Sequence, residues 1–424
     1  MSFSVITAER LAQFCQAAPR VGAAGVPGWI QRRSLGAWID ALLPLSLLGL
    51  MWERSGNPAG MVWILALWCA GKLALRLPAQ PVYALLIGIL AVCVSAIIHP
   101  LSVSAPTDLI LVLLAFAAGL QQSNRQWQIG LWCVLGTVLV ALPFVELDRF
   151  NGNLGLIPWQ GLRDALPQAA VRIQKITINR SGYLFGLLAL VGYGLFRFES
   201  HPWKSRVAAG VGGLSLVLAF GTGSRAALAF PVVAALITEL CWRYRGWVAH
   251  RARPLTVGVL SLAVVFNLLL YVPSSPISSG DASDEGRARV AQCFVVKALR
   301  GGADLATGRG YDRVSDRCAQ KVFLPGYTKG IPHAHNAFLQ VLADQGLVTL
   351  GLMVVGLALV LQRLMEGLVW NQPGLSWLGL ACTLFMLASA LVESTLLKTS
   401  LQQVMTGYLL SIAWRPRESH SIGP

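Results

Sequence analysis

Apolar runs of about 15 to 20 residues recur along almost the whole of this 424-residue chain, and they restrict its fold more than any other feature. A hydrocarbon core of about 30 Å is crossed by roughly 20 helical residues, tilted or locally thinned where a run is shorter. Inside such a core every backbone N–H and C=O must find an internal partner, which leaves helices as the spanning element. Charged residues make up only 12% of the chain and mean hydropathy is +0.60. A soluble domain carries about 25% charged residues. The pattern therefore predicts an all-α polytopic integral membrane protein. Twelve spans are expected, near 35–52, 60–77, 82–98, 107–121, 128–147, 181–197, 206–221, 226–242, 254–272, 347–363, 376–393 and 399–414. The N-terminal segment lacks the layout of a cleavable leader.

An even number of spans puts both termini on one side, and the basic residues say which. With the N-terminus cytoplasmic, cytoplasmic segments hold 17 Lys and Arg residues and the short outer loops only three, Arg54, Arg225 and Lys398. Positive residues favour the inside, so this orientation is expected. The chain then divides into a cytoplasmic segment 1–34, nine spans over 35–272 with an outer loop 148–180, and a large outer loop 273–335. A surface helix and three spans follow over 336–414, with a cytoplasmic tail 415–424. The two long outer loops carry the other 14 basic residues. Long loops translocate whatever their charge; the other reading is a site for an anionic ligand on the outer face.

Cys293 and Cys318 share the large outer loop with no third cysteine. In an oxidising compartment they are expected to pair.

No phosphate-cradling glycine loop, HExxH or GxSxG motif occurs. The stretch "IPHAHNAFLQVLADQGLVTLGL", 331–352, is more informative. A helix from Asn336 to Arg363 would be about 42 Å long at about 1.5 Å per residue, longer than the bilayer core. Its first turns mix Gln340, Asp344 and Gln345 with apolar residues and stop at Gly346. They suit the outer surface, with lipid-depth helix from about Leu347. His335 then stands above the interface at a helix start that Asn336 can cap, with His333 two residues earlier. His99, His333 and His335 face outward and could in principle bind zinc, but no carboxylate or thiolate sits at ligand spacing.

Arginines gather at the same level. Arg225 sits in the tight outer turn "GTGSRAAL", Arg180 opens the sixth span in "TINRSGYLFGL", and Arg287 and Arg289 start a loop helix in "DEGRARVAQCFVVKALR". Val290, Phe294, Val295 and Ala298 would form one face of that helix. Each arginine could simply reach headgroups. As a group they suit the oxygens of a lipid-linked phosphate or pyrophosphate, which arginine grips in pairs. A histidine base beside such a clamp is the minimum needed to move a sugar from a lipid pyrophosphate to a hydroxyl.

Three segments, "TGSRAAL" (222–228), "EGRARVAQCFVVKAL" with "GRGYD", and "HAHNAFLQVLADQGLVTLGL" (333–352), resemble the bacterial O-antigen ligases and the wider ligase, polymerase and protein-oligosaccharyltransferase superfamily. The layout of twelve spans with the largest outer loop before the tenth is also similar. The resemblance implies a metal-independent, GT-C-like membrane glycosyltransferase without a cofactor. It implies an active site on the periplasmic face of the inner membrane. The expected donor is a glycan on undecaprenyl pyrophosphate and the acceptor a sugar hydroxyl of lipid A–core, with membrane lipids as surroundings and no nucleic acid. By match, His335 takes the catalytic histidine position and Arg225 the arginine position after the "GS" turn. The loop arginine is either Arg287 or Arg289. Arg180, His333 and Asn336 are expected to help bind substrate. An O-antigen polymerase, with a second lipid-linked glycan as acceptor, is the nearest alternative; length and the single large late loop lean towards ligase. A transporter or flippase is a third reading. Transporters place ionisable groups near the membrane midplane, and here few charges lie mid-span, chiefly Asp40, Lys72 and Glu239.

Overall fold

The computed structural model describes residues 124–149, 169–173, 178–271, 282–299, 303–310, 334–370, 373–393 and 400–414, with scattered positions between 112 and 122 and at 314 and 318. The predicted segment 1–34, the first three spans and the tail 415–424 lie outside the described residues, and the fourth span contributes only isolated positions. The described part is a helical bundle. Its elements are α1 (Asn124–Ala141), α2 (Ile178–Phe198), α3 (Pro202–Gly221), α4 (Arg225–Arg243), the short α5 (Arg245–His250) and α6 (Ala252–Tyr271). Next come α7 (Ala282–Leu299), α8 (Ala303–Thr307), α9 (Ala337–Trp370), α10 (Pro373–Val392) and α11 (Ser400–Leu410), which ends in a 3₁₀ turn, Ser411–Trp414. Among the described residues, four helices are long and apolar enough to cross a membrane: α2, α4, α9 and α10.

Each predicted span from the fifth onward falls on one of these helices. Two boundaries differ. The fifth span was expected to run to residue 147, but α1 stops at Ala141 in a 3₁₀ turn containing Pro143. The chain then forms β1 (Val145–Arg149), antiparallel to β2 (Ala169–Ile173). This ribbon is a local β element in a described part that is otherwise helical, as expected. Its alternation is too short to stand out beside an apolar helix, and its partner strand is 20 residues away. The Ile173 amide donates to Ser181 Oγ at 3.0 Å, which fastens the ribbon to the first turn of α2. The second difference is α9, which continues past Arg363 to Trp370 because Leu364, Met365 and Leu368 bury against the bundle.

α2 and α10 are the inner helices, whereas α4 and α9 have most of their surface outside the described bundle. α2 and α3 meet at Gly192 and Gly212: a Cβ on Gly192 would stand 2.5 Å from the Gly212 Cα. Such contacts between small residues hold helices together where lipid removes the usual hydrophobic drive. Trp127 stacks on Tyr408 with ring centroids 4.2 Å apart, and the Tyr408 hydroxyl donates to Gln122 Oε1 at 2.6 Å. Large apolar side chains such as Val217, Leu236 and Leu262 remain exposed on the outer faces of α3, α4 and α6. Apolar surface of that extent suits lipid and not water.

Gly346 interrupts α9 where the sequence placed a break, with φ of 81°. The end of the first piece, 337–345, is closed by a strip from the large loop. The amides of Arg309 and Gly310 donate to the carbonyls of Ala343 and Asp344 at 3.0 and 2.9 Å. Gly308, also left-handed, makes that approach possible, since a Cβ there would lie 2.4 Å from the Asp344 carbonyl oxygen. Val290, Phe294 and Ala298 of α7 form a second, smaller core with Val314, Cys318, Ala334 and Ala343. Cys293 and Cys318 form a disulfide, as the pairing argument anticipates. The loop helix is thus anchored on the surface piece of α9.

Candidate functional site

The start of α9 is fixed in detail. Asn336 caps the helix: its Oδ1 accepts from the Leu339 amide at 2.9 Å, the third-turn-position bond that satisfies an orphan donor. Its Nδ2 donates to the Leu391 carbonyl at 2.8 Å and to Asn267 Oδ1. One buried side chain therefore ties α9 to α10 and α6. Gln340 reaches back to accept from the Ala334 amide at 3.0 Å, and its Nε2 donates to Asp344 at 2.6 Å. The backbone on both sides of His335 is held.

His335 itself has φ of 50°, the left-handed region that few non-glycine residues occupy. Such a conformation costs on the order of 1–3 kcal/mol and persists where neighbours enforce it. Here it turns the imidazole back towards the end of α10. Nδ1 lies 3.2 Å from Glu393 Oε2, and the two side chains are only 13% and 4% exposed. Glu393 directly follows α10, its amide bonded to the Ser389 carbonyl at 2.9 Å. Its carboxylate also accepts from Asn179 Nδ2 at 3.5 Å, at the start of α2. An ionised carboxylate only accepts, so with Glu393 ionised a neutral His335 ring places its hydrogen on Nδ1 and its lone pair on Nε2.

No protein-family model matches the chain. No curated protein matches it either.

The same end of the bundle collects the start of α2, the α3–α4 turn, the end of α6 and the start of α11. Arg180 sits in the first turn of α2, and its carbonyl accepts from Gln402 Nε2 of α11 at 3.0 Å. Two residues on, Gly182 lets α2 touch the turn that holds Arg225: a Cβ there would be 2.6 Å from Thr222 Oγ1 and 2.8 Å from Ala227 Cβ. Arg225 opens α4 and is exposed. Arg180, Arg225, His335 and Asn336, chosen from separate stretches of sequence, therefore share one end of the fold. Arg287 and Arg289 lie in the first turns of α7, which packs against α9. His333 lies outside the described residues. No group of three or more metal-ligating side chains occurs among the described residues.

Sequence reasoning missed Glu393, Asn179 and Asn267. Glu393 was legible in one respect: a carboxylate closing a 20-residue apolar helix is costly unless it has work to do. Asn267, alone in "VVFNLLLY", carried the same signal more weakly.

Proposed function

We propose that this chain is a membrane glycosyltransferase of the O-antigen ligase type, with twelve spans and its site on the periplasmic side of the inner membrane. It transfers a glycan from a polyprenyl pyrophosphate to a sugar hydroxyl of lipid A–core. His335 Nε2 takes the proton of the acceptor hydroxyl. The hydroxyl oxygen bonds to the anomeric carbon of the glycan as the bond from that carbon to the pyrophosphate oxygen breaks. The leaving pyrophosphate keeps the electron pair, and the guanidinium groups of Arg225 and of Arg287 or Arg289 take up its charge. The carrying observation is the His335–Glu393 contact. A buried carboxylate that also accepts from Asn179, on a backbone held by the Ser389 carbonyl, selects one imidazole tautomer and one ring direction, as a general base requires.

Polymerisation on a second lipid-linked glycan uses the same donor and the same base. Purified protein, given a defined polyprenyl-pyrophosphate glycan and either rough lipopolysaccharide or a second lipid-linked glycan, decides between them. Product on lipopolysaccharide alone is expected; product on the lipid-linked acceptor alone means polymerase, and none with either acceptor rejects the transferase.

A further inference from the structure

The end of the bundle opposite His335 is closed by α5, a helix of six residues that joins α4 to α6. Tyr244 and Arg251, on either side of it, leave helical geometry with φ of −108° and −102°. The backbone stays hydrogen-bonded through both bends. The amides of Val248 and Arg251 donate to the carbonyls of Tyr244 and Trp247, each at 3.0 Å. α5 thus turns across the helix ends, where it packs on α9. Val248 and Ala252 are buried, whereas Tyr244 and Trp247 are 55% and 60% exposed. Arg243, Arg245, Arg251 and Arg253 flank Trp247, and all four are exposed. The Arg245 guanidinium lies over the Trp242 ring, 4.8 Å from its centroid. No acidic residue occurs from 240 to 280. The start of α3 brings Trp203, Lys204 and Arg206 to the same end. Among the described residues the acidic ones there are Glu199, Glu239 and Glu366. Each accepts a hydrogen bond already, from the His201 amide, from Arg197 and from Gln362.

We propose that this patch binds the phosphate headgroups of anionic phospholipids, with α5 lying in the membrane interface. In the topology proposed above the leaflet is the cytoplasmic one. The inference rests on the membrane character of the helices and needs no chemistry at His335. The surroundings of the arginines choose lipid over other anions. Leu240 of α4 and Val257 of α6 are exposed about one turn from them, and Val207 is exposed about one turn from Trp203. Cations therefore stand at the edge of apolar surface, as headgroups stand at the edge of hydrocarbon. A soluble acidic partner would leave that apolar rim in water. A second copy of the chain would set like charge against like. Exposed Tyr and Trp rings settle at the same boundary, where one end is apolar and the other wet. Each Lys or Arg near an anionic leaflet strengthens the attraction about fivefold. Arginine's planar fork also matches phosphate oxygens.

The test is photolabelling of the full chain in phosphatidylcholine nanodiscs, which reads lipid contact without turnover. The probe is phosphatidylglycerol with a diazirine beside its headgroup. Phosphatidylcholine carrying the same group is the control. Label from phosphatidylglycerol is expected on peptides containing Trp203, Tyr244 or Trp247, at least about tenfold above the control. It should fall to the control level at about 1 M salt, where charges are screened within about 3 Å. This arm uses the unaltered chain, so it stands even if a variant fails to insert. Arg245→Gln with Arg251→Gln should cut the label by at least about tenfold, from two charges at about fivefold each. Arg245→Lys with Arg251→Lys should keep it within about threefold. Lys297→Gln, which removes a charge from α7 and not from the patch, should leave it unchanged. Equal labelling by the two probes, or a preference that survives high salt, overturns the proposal. So does an Arg→Gln pair that labels like the parent, or an Arg→Lys pair that labels as little as the Arg→Gln pair. Label lost when two copies share a nanodisc means that a second copy covers the patch, and overturns it too.

Discussion

Two glutamates sit near opposite ends of the same bundle, and both face a nitrogen group. At one end Glu239 of α4 accepts from Arg197 Nε and the Tyr193 hydroxyl, each at 3.1 Å. At the other, Glu393 meets His335 Nδ1 at 3.2 Å. The distances are nearly equal; the surroundings are not. The Arg197 and Glu239 side chains are 39% and 29% exposed, against 13% and 4% for His335 and Glu393. An exposed pair contributes about 0–1 kcal/mol, because solvent screens it and both side chains lose freedom. A buried carboxylate is expensive unless all its surroundings are arranged for it. At Glu393 they are: Asn179 donates to it, the end of α10 fixes its backbone, and His335 adopts a left-handed conformation to reach it. The first pair joins two helices. The second holds one ring in one direction.

The largest expected effect follows from removing that ring. His335→Ala should lower turnover by about 10²–10⁴-fold, the usual contribution of a general base. Donor binding should survive if, as proposed, the arginines grip the pyrophosphate. Turnover of the purified variant with a defined donor checks this; a near-normal rate removes His335 from the chemistry. His333→Ala should fall less, and the reverse order would mean that the wrong histidine carries the reaction.

Glu393→Gln comes next, with a loss of about 10²-fold. The amide can present its NH₂ to Nδ1 and so favour the opposite tautomer, which puts the hydrogen on the nitrogen that must accept a proton. Nitrogen-15 NMR of labelled histidine reads that tautomer change directly, and Glu393→Asp should recover part of the rate. A Gln variant with normal turnover and an unchanged His335 tautomer would reduce Glu393 to a packing role.

How much of this was readable beforehand depends on how local each signal is. The long apolar helices α1–α4, α6 and α9–α11 follow from apolar runs, which need only one stretch of chain; the short α5 and α8 do not. The Gly346 break and the Asn336 cap are equally local. The gathering of Arg180, Arg225 and His335 at one end follows from counting spans, since alternate helix ends must share a side. The β1–β2 ribbon pairs segments about 20 residues apart through only five residues each, which is too little alternation to outweigh the neighbouring apolar run. The partner of His335 was harder still. Glu393 is 58 residues away, and nothing in "LVESTLLK" says which of several helix starts it will face. That information lies in the packing of α9 against α10, where Gly379 accommodates Leu364.

Arg225→Lys should cost less than losing the tautomer, roughly tenfold or more in turnover. Lysine keeps the charge but not the planar fork that holds two phosphate oxygens. Because Arg225 is exposed at the start of α4, the variant should insert and melt like the parent. Equal rates with lysine at 225, 287 and 289 would favour headgroup contact over a pyrophosphate clamp.

Glu239→Gln is the smallest effect and the strictest test of the comparison. The amide still accepts through its oxygen, so the helix contact with Tyr193 and Arg197 is kept in part. Stability should change by less than about 1 kcal/mol, as for other exposed pairs. Turnover should stay within about twofold, since Glu239 sits at the end of α4 away from Arg225 and touches neither His335 nor its partners. Thermal melting in detergent and the same transfer assay measure both quantities. A loss in Glu239→Gln as large as in Glu393→Gln would mean that exposure does not separate the two carboxylates. The case for orientation at Glu393 would then have to rest on the histidine tautomer alone.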